Sequence, residues 1–338
     1  MPTMHDVARR AGVSQSTVSR VLNPGGASGS ISQETIDRVL KAAEELGYRI
    51  DPLARAMKGK STGVIGIIAR RLDSFLPLVI SALSDEFRAL GYTTIDGEAG
   101  NNPDETLRLH TLFETQFCDG LVLAADPKGL SEEQAHTILR DRHVVMTAWG
   151  VPVPGIPLVN TDNREGARQA MAHLLALGHE RIAFLDVGWS GDHLLRRQVY
   201  EEMMAEAGLP CDEYLIVSDE GMQAGFEATR HLLRLKHPPT AIFASEDLLA
   251  FGALRAAYVQ GLSVPEDLSI IGFDDLPHAA YSTPALTTVR QPVQETARII
   301  AGLLVDLIAG RASVDATNEI MLVPPELMIR ETTAPPRA

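Results

Sequence analysis

The chain has 338 residues, of which 30 are Lys or Arg and 44 are Asp or Glu, giving a formal net charge of −14 at pH 7. At roughly 150 residues per domain, this length predicts two or three domains and supports a sizeable buried core. The composition, 45% hydrophobic and 22% charged, excludes a disordered or fibrous protein. No apolar stretch approaches the roughly 18 residues of a membrane span. Two distant cysteines, Cys118 and Cys211, exclude a disulfide framework and a clustered cysteine metal site.

The charge is distributed unevenly along the chain. Residues 1–62 carry nine basic and six acidic residues, a net charge of +3, whereas the remainder carries 21 basic and 38 acidic residues, a net charge of −17. A small basic head on a large acidic body indicates two separate functions, so the total of −14 does not exclude phosphate binding by the head. The N-terminus has no apolar segment followed by a cleavage site, and we therefore expect a cytoplasmic protein.

The head begins with two short helical patterns. Thr3-Met4-His5-Asp6 is a capping-box pattern that starts the first helix, and Gly12 ends it. Ser14 can cap a second helix from Gln15 to about Leu22. Two such helices around a glycine predict a helix-turn-helix, whose second helix enters the major groove of DNA. The alternative is an ordinary helix pair, since short helices around a glycine are common in α-rich domains.

The second helix carries side chains suited to reading DNA. Val18, Val21 and Leu22 face inward, which leaves the other side chains pointing outward. Gln pairs with adenine, Arg with guanine and Ser with either, while Thr17 and the helix N-terminus suit phosphate. We therefore expect base contacts from Gln15, Ser16, Ser19 and Arg20.

A third helix and a linker complete the head. Ser32 is its predicted N-cap, and Gly47 ends it. Its predicted buried stripe is Ile36, Val39, Leu40, Ala43 and Leu46. Asp51-Pro52 then starts a short helical segment, and residues 58–63 form a linker.

The motifs DVARRAGVSQSTVSRVLN and ISQETIDRVLKAAEELGYRIDPLARAMKGKSTGVIGII resemble the N-terminal half of the lactose-repressor (LacI/GalR) family of transcription regulators. This resemblance implies a hinge helix after the third helix, which folds on operator DNA and wedges an apolar side chain into the minor groove. Met57 takes that position, where the family usually has Leu, and Met is a suitable wedge. The alternative for Met57 is an exposed or body-packed linker side chain. The resemblance completes the candidate DNA contacts with Thr3, Ser14, Asn23 and Arg55.

The body alternates apolar strands with amphipathic helices, which predicts βαβ units and mainly parallel sheets. The predicted strands are Val64–Ala69, Tyr92–Asp96, Gly120–Ala125, Val144–Ala148, Arg181–Val187, Tyr214–Ser218, Ala241–Ala244 and Leu268–Phe273. The predicted helices lie near 77–90, 103–116, 131–141, 163–177, 195–207, 222–235, 247–260 and 293–309. A break near residues 152–157 favours two subdomains.

The sequence contains no pattern of catalytic chemistry. GxSxG, HExxH, a P-loop and GxGxxG after a strand are all missing. We therefore predict no enzyme, no catalytic residue, no metal and no cofactor. His179, in a Leu-Gly-His turn, is interpreted as structural rather than ligating.

The motifs VNTDNREGARQAMAHLLALGHERIAFL and AIFASEDLLAFGALRAAYVQGLSVPEDLSIIGFDD resemble the effector-binding module of the same family. That module is similar to periplasmic sugar-binding proteins, with two α/β subdomains that the chain crosses three times and a ligand in the cleft between them. The implied fold is a small all-α helix-turn-helix head plus an α/β periplasmic-binding-protein-like body with parallel sheets. The implied effector-binding residues are Arg70, Asp73, Phe75, Trp149, Arg196, Glu220, Glu246 and Asp274.

These residue types suit a sugar. Carboxylates accept hydroxyl hydrogens, Arg donates to hydroxyl and ring oxygens, and an aromatic ring covers an apolar sugar face. Alternatives stay open: Arg196 pairing with a helix carboxylate, Asp274 or Asp275 capping the next turn, and Trp149 packing in the core or a loop. Arg70 in the cleft would favour an acidic or phosphorylated sugar, whereas Glu246, where the family often has Asn, favours a hydroxyl-rich one.

The expected organisation is a DNA-binding domain at 1–50, a hinge and linker at 51–62, an effector-binding and dimerisation domain at 63–331 and a tail at 332–338. Within the body, the N-subdomain is expected at about 63–161 and 292–320, and the C-subdomain at about 162–291 and 321–331. The expected function is a homodimeric regulator, a repressor of carbohydrate uptake or catabolism genes, that binds a pseudo-palindromic operator and a small-molecule effector. The alternatives are a purine- or other metabolite-responsive regulator, a solute-binding protein and a sugar-processing enzyme.

Overall fold

The computed structural model describes residues 2–22, 31–48, 61–69, 75–100, 102–116, 118–124, 134, 138, 143–147, 155–188, 191–312 and 320–337. The head contains helices α1 (Met4–Ala11), α2 (Gln15–Leu22) and α3 (Gln33–Glu45). Both halves of the predicted capping box are present, since Thr3 and Asp6 each accept the other's backbone N–H. Gly12 closes α1 in a left-handed conformation with φ of 68°, which glycine adopts without a steric cost.

The three head helices enclose a small apolar core. Val7, Val18 and Val39 are fully buried at its centre, one from each helix. The prediction for Leu40 was wrong, because its side chain is 49% exposed. Ala42 is buried instead, since positions three residues apart share one helix face and Ala42 follows Val39 at that spacing.

The body consists of two six-stranded sheets with helices on both faces. Its helices are α4 (Leu76–Ala89), α5 (Pro103–Gln116), α6 (Asn163–Ala176), α7 (Gly191–Glu206), α8 (Met222–Leu232), α9 (Asp247–Val259) and α10 (Val293–Ile308). Its strands are β1 (Val64–Ala69), β2 (Thr93–Glu98), β3 (Gly120–Ala124), β4 (Val144–Met146), β5 (Leu158–Thr161), β6 (Ile182–Asp186), β7 (Leu215–Val217), β8 (Ala241–Ala244), β9 (Ser269–Asp274), β10 (Thr287–Arg290), β11 (Ile320–Val323) and β12 (Glu326–Met328).

The strand orders divide the body into two subdomains. The first sheet has the order β11-β5-β4-β3-β1-β2 and is parallel throughout. The second has the order β12-β10-β9-β8-β6-β7, with β12 alone running antiparallel to its neighbour. Each sheet carries an apolar cluster on both of its faces. The predicted parallel α/β body is therefore confirmed.

The chain passes between the two sheets three times: after β5, after β10 and after β11. The third passage was expected near residue 320, but β11 keeps residues 320–323 in the first sheet through its pairing with β5. Strands β5, β10, β11 and β12 were not predicted. Each has only three or four residues, but β4, β7 and β8 are equally short and were predicted, so length alone does not explain the difference.

Candidate DNA-reading helix and effector cleft

The N-terminus of α2 is built around the hydroxyl of Ser14. This oxygen accepts the backbone N–H of Thr17 at 3.2 Å and lies 2.7 Å from the Ser16 hydroxyl and 2.9 Å from that of Thr17. Ser14 thereby caps the helix as predicted. The capped end directs the remaining N–H dipoles of the first turn outward, an arrangement that favours a phosphate.

The outer face of α2 carries the side chains predicted to read bases. Gln15, Ser16 and Arg20 are exposed, whereas Ser19 and Thr17 are half-buried. Among the described residues, the Arg20 guanidinium makes no ion pair or hydrogen bond. An unpaired guanidinium on this face keeps all its donors for a guanine edge or a phosphate. Of the other candidate DNA contacts, Thr3 belongs to the cap of α1, and Asn23, Arg55 and Met57 lie outside the described residues.

The second sheet ends at a cluster centred on Arg196 of α7. Its side chain is only 3% exposed. Its Nε donates to Asn163 Oδ1 at 2.8 Å and its Nη1 donates to the Ser245 carbonyl. The guanidinium carbon lies 3.6 Å from the centre of the Phe273 ring. These contacts hold the group at the carboxyl ends of parallel strands, where ligands of open α/β sheets bind, and none of its hydrogen bonds goes to a helix carboxylate.

Asp274 stands at the end of β9 beside this guanidinium. It is 8% exposed and its Oδ1 accepts the Gln291 Nε2–H at 2.7 Å. Burial raises the pKa of Asp274 well above its ordinary value, against the opposing charge of Arg196. The backbone here has φ of 125° at Asp274 and 54° at Asp275, and such strain in non-glycine residues is concentrated at functional sites.

Asp275 has a structural role that differs from the expected turn cap. Its two oxygens form ion pairs with Arg290 at 2.7 Å and Arg330 at 2.5 Å. The loop after β9 is held instead by Asp247, which accepts the Leu276 N–H at 2.7 Å and the Thr288 hydroxyl at 2.5 Å. Burial raises the pKa of Asp247 to about 7.

Two further buried carboxylates face Arg196, and sequence reasoning missed both. Asp192 lies four residues before Arg196 on α7 and therefore on the same helix face; that spacing was the available signal. Asp186 ends β6 and is 1% exposed. Its Oδ1 has no hydrogen-bond partner among the described residues, and burial raises the pKa of this carboxyl.

Glu246 and Glu220 lie at the rim of the same edge. Glu246 precedes α9 and accepts the N–H of Gly221 at 2.9 Å, which brings the loop containing Glu220 next to the end of β8. Both glutamates are half-buried. Together with Asp186, Asp192 and Asp274, they form an edge rich in hydrogen-bond acceptors around Arg196, and Arg197 pairs with Asp186 at 3.8 Å.

The opposing wall comes from the first sheet. A small pocket lies there. It is lined by Phe75, Val79, Thr147, Asn160, Thr161, Gln291, Val293 and Thr296. Phe75 was predicted as a site residue, but the polar residues at the ends of β4 and β5 were not. Thr147 lies in the predicted strand Val144–Ala148, whereas β5, which carries Asn160 and Thr161, was not predicted. The Thr296 hydroxyl is buried with no hydrogen-bond partner among the described residues, so it is free for a ligand.

Direct hydrogen bonds connect the two walls. Asn160 Nδ2 donates to Asp192 Oδ1 at 2.8 Å, and the Thr161 hydroxyl donates to Gln291 Oε1 at 2.8 Å. Gln291 thus joins Thr161 to Asp274, and both Thr161 and Gln291 lie where the chain passes between the sheets. Arg70, Asp73 and Trp149 lie outside the described residues. The described residues contain no cluster of metal-binding side chains and no helix long and apolar enough to cross a membrane.

Comparison with known proteins agrees with this architecture. The sequence model of bacterial regulatory proteins of the lacI family matches residues 3–51, and that of a periplasmic binding protein-like domain matches residues 171–333. The chain is 32% identical to the HTH-type transcriptional regulator DegA of Bacillus subtilis, over 98% of both chains. The chain belongs to the LacI family. It is also 34% identical to the HTH-type transcriptional repressor CytR of Escherichia coli, over 98% of this chain and 96% of that protein.

Solved structures of the LacI family share its full-length fold. The crystal structure of the lac repressor dimer bound to operator and the anti-inducer ONPF superposes with a TM-score of 0.84 at 26% identity, covering 98% of this chain and 99% of that one. A complex of the regulator CelR with cellobiose superposes with a TM-score of 0.72 at 28% identity. This LacI-family chain is therefore a DNA-binding transcription regulator and not an enzyme, and the predicted family and fold are confirmed.

Proposed function

We propose that the chain represses genes of carbohydrate uptake or catabolism and responds to a sugar or sugar derivative bound between the two subdomains. The observation that carries this proposal is the Arg196–Asp274 pair, buried at the carboxyl edge of the second sheet and facing the Phe75 wall of the first. Because the regulator acts on chromosomal DNA, its place of action is the cytoplasm.

The chemistry of the cleft favours a ligand with many hydroxyl groups. Carboxylates accept hydroxyl hydrogens, and those of Asp192 and Asp274 each accept a side-chain amide N–H at the cleft. Arg196 donates to hydroxyl or ring oxygens, and Phe75 offers an apolar face. Among the described residues, carboxylates outnumber guanidinium groups at this edge, where the charge of Arg196 is opposed by four carboxylates and Arg197 pairs with Asp186 at 3.8 Å, which disfavours an anionic ligand.

The mechanism follows from the links between the walls. A ligand that contacts Asp192 and Asp274 competes with or reinforces the hydrogen bonds of Asn160 and Gln291, and so changes the relative orientation of the two subdomains. In a pseudo-palindromic complex, two copies of the chain place paired hinge segments and Met57 at the operator centre. A coupling free energy of roughly 1–3 kcal/mol between cleft and hinge changes operator affinity about 5- to 150-fold.

A ligand screen followed by DNA binding tests this function. Neutral sugars, sugar phosphates, sugar acids and nucleobases are compared by thermal shift, where a ligand at 100 times its Kd stabilises the protein by roughly 2.7 kcal/mol. DNA duplexes enriched by the protein from a random-sequence pool are then titrated with and without the stabilising compound. A neutral sugar that alters DNA affinity is the expected result. A response to nucleobases alone would replace the sugar effector by a purine-type one, and conversion of a sugar to product would overturn the regulator assignment.

A further inference from the structure

The linker from the DNA-binding head to the body ends on one carboxylate, that of Asp119. Residues 61–63 lead directly into β1, and Asp119 immediately precedes β3, which pairs with β1. Asp119 Oδ1 accepts the N–H and the hydroxyl of Thr62 at 2.7 and 3.0 Å. Its Oδ2 accepts the Ser61 hydroxyl at 2.5 Å and the Gly63 N–H at 2.8 Å. Both carboxylate oxygens are therefore engaged by three consecutive linker residues.

The backbone of the linker is shaped for this contact. Gly63 adopts φ of 74°, a left-handed conformation that favours glycine. This turn points the successive N–H groups of Thr62 and Gly63 at the same carboxylate, which is the arrangement of an anion-binding nest. The Gly63 carbonyl accepts the Thr93 N–H at 2.8 Å on the other side. The linker is thus held by the neighbours of β1 on both sides.

Asp119 is itself fixed to the first sheet. Its backbone N–H donates to the Val64 carbonyl at 2.8 Å, and its carbonyl accepts Nδ1–H of His143, just before β4, at 3.0 Å. The carboxylate therefore moves with the N-subdomain. A Lys-Gly-Lys-Ser-Thr-Gly segment would otherwise be a flexible linker whose backbone torsions could absorb a movement of the body.

We propose that Asp119 is a positioning residue for operator binding: it sets the point and direction at which the hinge segment leaves the body, and so passes subdomain movements to the DNA-binding head. This role rests on the proposed coupling between cleft and hinge. Without the carboxylate, head and body remain connected but orient independently, so that the two heads of a dimer meet the operator at a lower effective concentration.

Asp119→Asn tests the proposal, because the amide keeps the size of the side chain. Its NH2 group replaces an oxygen that accepts two hydrogen bonds from the linker, and it can accept neither. Trypsin cleaves after Lys60, directly before the clamped Ser61, so we expect cleavage there to become several-fold faster as the linker is released. We also expect affinity for the enriched DNA duplex to fall about 10-fold, equivalent to about 1.4 kcal/mol. Asp96→Asn is the matched control: an exposed carboxylate on β2 with no hydrogen bond to the described linker residues 61–63.

Removing the linker side of the contact gives a second, independent test. Ser61→Ala deletes one of the four hydrogen bonds to Asp119. Thr62→Val deletes another, together with the bond that the Thr62 hydroxyl accepts from the Val64 N–H at 3.2 Å. Each should increase tryptic cleavage less than Asp119→Asn does. If all three variants match Asp96→Asn in cleavage rate and DNA affinity, the proposal is wrong. Sugar binding, measured separately on the same proteins, tests the proposed effector. Its outcome is independent of the cleavage rates and DNA affinities that test the role of Asp119.

Discussion

The side-chain amide of Asn160 donates a 2.8 Å hydrogen bond to the carboxylate of Asp192, and these two buried residues belong to different subdomains. Asn160 lies in β5 of the first sheet, whereas Asp192 lies in the first turn of α7 over the second. A hydrogen bond to a charged group contributes about 1.5–3 kcal/mol, so this contact stabilises the relative arrangement of the two subdomains seen in the structure.

Asp192→Ala should therefore open the cleft and weaken sugar binding. We expect a larger radius of gyration by small-angle scattering and at least about a 10-fold loss of sugar affinity, the equivalent of 1.4 kcal/mol. Glu202→Ala, on the same helix but in a surface ion pair with Arg164, is the control. Unchanged scattering and unchanged affinity for Asp192→Ala would show that the Asn160 contact does not hold the cleft closed.

Arg20→Ala should relax DNA specificity at one position. Because this guanidinium is exposed on α2 and unpaired among the described residues, its loss should cost roughly 1–3 kcal/mol at a single operator base pair. Affinities for the enriched duplex and for its single-base variants, titrated at one salt concentration, measure this. Arg38→Ala removes the same charge from α3 and should leave specificity intact. An equal loss on random DNA would make Arg20 a phosphate contact.

Arg196→Lys should abolish the effector response while operator binding without effector is retained. Lysine keeps the charge but cannot reach Asn163, the Ser245 carbonyl and a ligand together, since it lacks the planar fork of arginine. Calorimetric titration with the stabilising sugar and DNA binding provide the two measurements. Arg164→Lys, which changes only a surface ion pair, serves as the comparison. A retained response would place the effector pocket elsewhere.

The C-terminal segment should loosen in acid because of His179. The imidazole is 2% exposed and donates through Nε2 to the Ala334 carbonyl at 3.0 Å, while Nδ1 lies 2.9 Å from the Thr240 hydroxyl. Burial lowers the pKa of His179 below its ordinary value of 6.5. Below pH 6.5 the unfolded state therefore binds a proton that the folded state does not. The free energy of unfolding consequently decreases as the pH is lowered.

The measurement for His179 is the change in Tm between pH 7.5 and pH 5.5. Wild type should lose about 2–4 °C more than His179→Gln, the shift expected from about 1 kcal/mol in a domain of this size. The raised pKa of Asp247 stabilises the folded state as the pH is lowered, opposite to the effect of His179. Both proteins contain Asp247, so its contribution cancels in the comparison. His231→Gln, at an exposed position of α8, should behave as wild type. Parallel pH profiles for wild type and His179→Gln would remove His179 as the cause.

Local signals were sufficient for the head and for most body elements. The caps at Thr3 and Ser14 and the stop at Gly12 depend on residues within four positions of each other, so their chemistry is visible in the sequence. The long apolar strands and periodic helices of the body are equally local. Leu40 was misassigned because an apolar residue at the edge of a helical stripe is buried only if a neighbouring element covers it.

The uneven charge distribution, the helix-turn-helix and the family were determined by the sequence alone, because each is a property of residue order. The sequence also pointed to Arg196 and Asp274. Tertiary structure decided what surrounds them: Asn160 meets Asp192, and Gln291 meets Asp274 and Thr161, because the passages after β5 and β10 bring the two sheets together. The clamp between Asp119 and residues 61–63 likewise joins positions more than fifty residues apart. Such contacts follow from strand order and register, which no local pattern encodes.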